Sequence, residues 1–189
     1  MIRSLAPLAL LSCVALAACS TDSSEETSTT VDNAIDAPAV ETVLDQNLPF
    51  DAMPEVPEGK NGWVECPYLD SQFVADTNGQ RMMAVGIDER FDTPACVFWS
   101  YEESPQVQVL VRHMPTAEDA RAVVDWAAPV DSTSRADEPL GWTGGRKGDE
   151  EGAVYAVQKD NVAVVVWSDQ QQSVKASNLA VATIENLGL

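Results

Sequence analysis

Few residues in this chain could perform covalent chemistry. There is one histidine, His113, so a Ser-His-Asp arrangement would have to use it. It stands at the end of an apolar alternation, just before Met114-Pro115, and reads as a structural or solvated side chain. No Gly-x-Ser-x-Gly or Ser-x-x-Lys string occurs, and Ser173 next to Val174-Lys175 reads as a helix cap. Asp149-Glu150-Glu151 has the donors for a divalent cation, but consecutive acids on a loop usually form a solvated turn. Asp76-Thr77-Asn78-Gly79 begins like a calcium loop, yet Gln80-Arg81-Met82 supplies none of the ligands that must follow, so it reads as a helix end. Gly141 to Gly148 lacks the Gly-Lys-Ser/Thr ending of a phosphate loop. No catalytic residue, metal or cofactor is expected.

What remains is recognition chemistry on the stretch Gly141–Gly152. Glycines allow backbone to approach a ligand closely. Trp142 offers a flat amphipathic contact, and Arg146-Lys147 is a pair of adjacent cations. Together they would suit a glycan, an acidic ligand or a protein partner. The competing reading folds Trp142 back onto the core and leaves the glycines to turn the chain.

The thiols carry the other chemistry. Arg3 is the only charge before Cys19, and about fifteen mostly apolar or small residues separate them. That is the layout of a secretory signal, and too short for a spanning helix of roughly twenty residues. Leu16-Ala17-Ala18-Cys19 resembles a bacterial lipobox, which implies cleavage before Cys19 and fatty acylation (palmitate or similar) of its sulfur and new amine. Cys19 is then the first residue of a membrane-anchored protein, residues 1–18 are signal, and Cys13 is lost with it. Two or more acyl chains hold a protein durably on a membrane. Cys66 and Cys96 are left as a pair in an oxidising compartment. A disulfide between them would close a loop of about thirty residues, worth about 3–4 kcal/mol in the chain-entropy picture. The rival is a pair of metal or redox thiols, but no Cys-x-x-Cys is present and one histidine does not complete a zinc set.

These groups need elements to position them. Residues 19–62 read as the lipidated cysteine and a disordered acidic tether, rich in Ser, Thr, Asp and Glu and then in proline. About forty such residues reach roughly 35 Å as a flexible coil. Within it, Ala39–Leu44 has the composition of a short strand or helix. The globular region is expected over 63–189, long enough for one core. A helix is expected from Pro67 to Asn78-Gly79. Strands are expected over 82–90, 96–101 and 107–112, where apolar residues alternate. Thr116 caps a second helix that ends at Pro129, with Ala120, Val123, Val124 and Ala127 as its buried stripe. Residues 130–152 read as irregular. Strands follow over 153–158 and 161–167. Ala163-Val164-Val165-Val166 is apolar throughout, as in a central strand covered on both faces. Ser173 then caps a last helix. The fold class is α+β: an antiparallel sheet of about five strands packed with helices, like an α/β/α sandwich, with one disulfide.

The chain carries 30 acids against 11 bases, a net charge of −19. Nucleic-acid and anionic-lipid surfaces need clustered cations, so neither is an expected partner beyond the lipid anchor itself.

The strings Cys66-Pro67-Tyr68-Leu69, Cys96-Val97-Phe98-Trp99, Gly141-Trp142 with Gly144-Gly145, Tyr155-Ala156-Val157 and Ser173-Val174-Lys175-Ala176 are similar to those of small actinobacterial lipoproteins grouped as domain of unknown function 2020. The order of elements more distantly resembles sensor-like and PsbP-like α/β/α sandwiches of secreted lipoproteins. The resemblance implies a cell-envelope location and a Cys66–Cys96 bridge; it carries no activity and no catalytic residues. The expected function is that of a lipid-anchored extracytoplasmic module, not an enzyme, that binds an envelope protein or glycan through Trp142, Arg146 and Lys147. Its alternatives are a carrier holding an apolar ligand between sheet and helix, and an envelope hydrolase built on His113.

Overall fold

The computed structural model describes Asp45 and residues 47–189. Residues 1–18, expected to be a signal, Cys19 and Ala39–Leu44 lie outside the described residues. Among the described residues no helix is long and apolar enough to cross a membrane.

The elements run α1 (Ser71–Asn78), β1 (Ala84–Asp88), β2 (Ala95–Trp99), β3 (Pro105–His113), α2 (Ala117–Ala127), β4 (Ser134–Ala136), β5 (Thr143–Asp149), β6 (Gly152–Lys159), β7 (Val162–Ser168) and α3 (Ser173–Leu187). The strands form one sheet of seven in the order β1-β2-β3-β7-β6-β5-β4, every neighbour antiparallel. The α+β expectation therefore stands, with seven strands rather than five. The two extra strands, β4 and β5, come from the stretch expected to be irregular. Glycine, lysine and aspartate dominate β5 and disfavour strand on propensity, but pairing along β6 overrides that.

β7 sits at the centre of the sheet, and Val164, Val165 and Val166 are fully buried. Side chains alternate across a strand, so its two faces feed two cores. One core joins Val164 and Val166 of β7 to Leu179, Ala180 and Ile184 of α3 and Val74 of α1. The other joins Ala163 and Val165 to Ala120, Val123 and Val124 of α2.

Local signals place the helices. Thr116 caps α2 by accepting from the Asp119 N–H at 3.1 Å, as expected. α1 starts later than Pro67: the Asp70 carboxylate accepts from the Phe73 N–H at 2.9 Å, and Gly79 closes the helix in the left-handed region at φ 78°. α3 is capped at Gln172 with no side-chain bond, and Ser173 is its first residue rather than its cap.

The folded unit begins earlier than residue 63. α2 covers only part of its face of the sheet. Asp45 and residues 47–56 supply cover beside it as a strap: Leu48 and Ala52 pack into the second core, and Val56 packs on Ala84, Val97 and Trp99. Polar groups fasten the strap. Arg112 of β3, its side chain 1% exposed, pairs with the Asp45 carboxylate. Its guanidinium also donates to the carbonyls of Leu48 (3.1 Å), Pro49 (3.0 Å) and Phe50 (3.3 Å). A buried charge is tolerable when paired and hydrogen-bonded in this way. Further along, the Asp88 carboxylate accepts from the Glu55 N–H at 2.7 Å, and Arg90 bridges Asp88 (2.7 Å) and Glu55 (3.1 Å). Acidic, proline-bearing composition suggested a tether here, but a few apolar residues and one buried arginine are enough to dock it.

Candidate functional site

The residues expected to form a site do not come together. Trp142 is 2% exposed and belongs to the core shared with Tyr155, Val157 and Ile184. The Lys159 ammonium lies 5.8 Å from its ring centroid. Arg146 and Lys147 are consecutive on β5, opposite Tyr155 and Val154, and so point to opposite faces of the sheet. Lys147 pairs instead with Asp149 at 2.8 Å, which holds that carboxyl below its ordinary range. The glycines admit neighbouring backbone, not a ligand. A Cβ at Gly144 would stand 2.0 Å from the Ala156 carbonyl oxygen, and one at Gly148 would stand 1.9 Å from that of Gln171. Trp142 lies in the core while Arg146 and Lys147 are exposed on opposite faces of β5, so the expected Trp142–Arg146–Lys147 contact is not assembled.

The remaining expectations are simpler. Asp149-Glu150-Glu151 forms the turn between β5 and β6, where the Glu151 N–H donates to the Asp149 carboxylate at 2.9 Å. Among the described residues no group of three or more His, Cys, Asp or Glu is placed to hold a metal ion. His113 Nε2 lies 3.0 Å from the Thr93 hydroxyl, a structural contact. Cys66 and Cys96 form the disulfide, with Cα atoms 5.7 Å apart. It ties the lead-in to α1 onto β2.

That staple positions a site the sequence did not advertise. At the opposite end of the sheet from Trp142, Trp63 bridges Val85 on the outer side of β1, and the Val64 N–H donates to the Val85 carbonyl at 2.9 Å. Trp63 is 51% exposed. Its ring is nonetheless held: the indole N–H donates to Glu65 Oε1 at 2.6 Å, and Glu65 Oε2 accepts from the Ser71 hydroxyl at 2.9 Å. Cys66 follows Glu65, so the disulfide fixes the chain that carries both.

Trp63 walls an open groove of about 790 Å³ that runs along α1 to Gly79–Met82. This is within the range of ligand sites, roughly 300–1,000 Å³. Its polar lining is planar: Glu65, Asp70, Gln72, Asp76, Gln80 and Arg81. Gln72 donates to Asp76 at 2.8 Å. Gln80 donates to Asp169 at 2.7 Å, while its Oε1 is shielded from water and has no partner among the described residues. An unsatisfied buried acceptor is costly and calls for an explanation. Arg81 makes no ion pair with a described carboxylate.

A buried network fixes the base of this groove. Asn78, fully buried at the end of α1, donates to Asp169 (3.0 Å) and Gln106 (3.2 Å) and accepts from the Ser168 hydroxyl at 2.6 Å. Lys175 of α3 donates to the Asn78 carbonyl at 2.7 Å. α1, β7 and α3 are thereby locked together beneath Gln80.

A second cleft, about 370 Å³, lies between α2 and β5 and is lined by Arg121, Asp125, Arg135 and Gln158 among others. Its two arginines face acids of their own, Asp125 at 3.6 Å and Asp137 at 3.8 Å. It has no aromatic wall.

A family model matches residues 48–189, three quarters of the chain, beginning inside the strap. The chain belongs to the family described as Domain of unknown function (DUF2020). No curated protein matches it. For this DUF2020 chain the groove beside Trp63 must be read from its own chemistry. Sequence reasoning passed over Trp63 as part of an extended lead-in. The available signal was a tryptophan beside Gly62, outside any apolar alternation that would bury it.

Proposed function

We propose that this DUF2020 protein is a lipid-anchored module of the cell envelope, not an enzyme, that binds a ligand or partner in the groove beside Trp63. The anchor rests on the short apolar run ending in Leu16-Ala17-Ala18-Cys19, with the Cys66–Cys96 bridge in keeping with an oxidising compartment. The observation that carries the binding reading is the clamped, half-exposed indole over a groove of planar polar side chains. A protein interior would bury such a ring; holding it in water by a hydrogen bond to Glu65 suits a contact made with something else.

The tether is then shorter than composition suggests. From Cys19 to Asp45 there are about 26 residues.

The test has two parts. Cys19→Ser should move the protein from the membrane fraction to the soluble extracytoplasmic fraction and abolish incorporation of labelled palmitate; a membrane-bound, unlabelled native protein would refute the anchor. A photo-crosslinking residue at Gln72, on the groove wall, should trap an envelope component in living cells. The same residue at Arg121, in the second cleft, should not. Crosslinks of equal yield at both positions would refute the assignment of the groove.

A further inference from the structure

The groove's chemistry narrows its ligand, and we propose that it takes a pyranoside of a glycan chain, neutral or amine-bearing, with one sugar ring stacked on the Trp63 indole. This rests on the reading that the groove is a binding site. A pyranose has an apolar face of C–H bonds and a rim of hydroxyls. The first matches the face of an indole held by its N–H. The second matches planar carboxylates, amides and guanidinium, which bond neighbouring hydroxyls in pairs. Glu65, Asp70, Gln72, Asp76, Gln80 and Arg81 are that set, ranged along one open trough with Trp63.

Two amides of the trough are already oriented: Gln72 is bonded to Asp76, and Gln80 is held by Asp169 from below. Pre-set polar groups lose little freedom on binding.

Charge selects among glycans. Three carboxylates, Glu65, Asp70 and Asp76, face one guanidinium, Arg81. The trough is therefore net negative, within a chain of net charge −19. Acidic polysaccharides, nucleic acid and anionic lipid headgroups are disfavoured. A simple organic cation is a poorer fit, because one aromatic wall is not the cage that such cations use. An extended peptide would want apolar pockets for alternate side chains; only Trp63, Ala75 and Met82 are apolar here.

The experiment is a titration of the full mature chain in detergent, followed at the tryptophan indole N–H signals. Three probes are used: chitotetraose, cellotetraose and tetragalacturonate. Saturable movement of the Trp63 signal with chitotetraose or cellotetraose is expected, with tetragalacturonate at least tenfold weaker. Trp63→Ala should weaken binding about tenfold or more, and Trp63→Phe should recover much of the loss. Gln72→Ala should weaken it several-fold with an unchanged melting temperature. No saturable movement with either chitotetraose or cellotetraose, preference for tetragalacturonate, or equal affinity in Trp63→Ala would overturn the proposal. If sugars fail while the crosslinker at Gln72 traps an envelope protein, the glycan is wrong and the groove stands. If both fail, the groove falls too.

Discussion

Two tryptophans at opposite ends of one sheet have opposite fates. Trp142, flanked by glycines and cations, looked like a contact residue and is buried in the core. Trp63, in an undistinguished lead-in, is half exposed and fixed by Glu65. The difference comes from what each neighbouring strand offers. Beside Trp142, β5 runs antiparallel to β6 for its whole length, and Tyr155 and Val157 of β6 share the core with the ring. Beside Trp63, β1 is an edge, paired on that side among the described residues only by a single bridge, and the ring stays half exposed. Neighbours in sequence do not decide which indole is buried; the pairing of the next strand does.

The contrast can be broken most forcefully at Trp142. Trp142→Ala should cost about 3–5 kcal/mol, as large-to-small changes in a core do, read by urea denaturation. A loss below 1 kcal/mol would return Trp142 to the surface. Next is the strap. Asp45→Ala leaves the Arg112 guanidinium buried without its carboxylate and should cost about 3–5 kcal/mol. Replacing both Cys66 and Cys96 with serine should cost about 3–4 kcal/mol. It should also loosen Trp63, seen as faster solvent exchange of its indole N–H.

Asp88 tests the strap through pH. Burial alone would raise its pKa, but the Arg90 guanidinium and the N–H groups of Glu55 and Arg90 outweigh it and hold the carboxyl below its ordinary value. Since the folded pKa lies below the unfolded value of about 3.9, the stabilisation is full above that pH and is lost as pH falls through the folded pKa. Asp88→Asn should therefore cost about 1.5–3 kcal/mol at pH 7, the worth of charged hydrogen bonds, with the gap to wild type closing toward pH 3. A gap constant with pH would contradict the arrangement. The smallest stability effect is expected at Trp63: Trp63→Ala should change stability by less than about 0.5 kcal/mol, as exposed substitutions do.

Much of the fold was legible. The alternations at Val107–Val111 and Val162–Val166, the Thr116 cap and the Asn78-Gly79 stop each encode an element locally, and each is present. β5 was not legible, because its residues disfavour strand and only its partner β6 imposes one. The strap was hidden by its charge and prolines; its one long-range clue was Arg112, a cation on the same strand face as Leu110, which demands a buried acid from elsewhere. The site was least legible. Glu65, Gln72 and Gln80 carry no motif, and their meeting with Trp63 depends on the Cys66–Cys96 bridge and on the Asn78 network beneath α1.

The most direct measurement is hydroxyl-radical footprinting of the two tryptophans, on purified protein and on intact cells. The account predicts rapid labelling of Trp63 in the purified protein, marked protection of it in the cell envelope, and protection of Trp142 in both. Equal labelling of Trp63 in both settings, or rapid labelling of Trp142 in either, would contradict it.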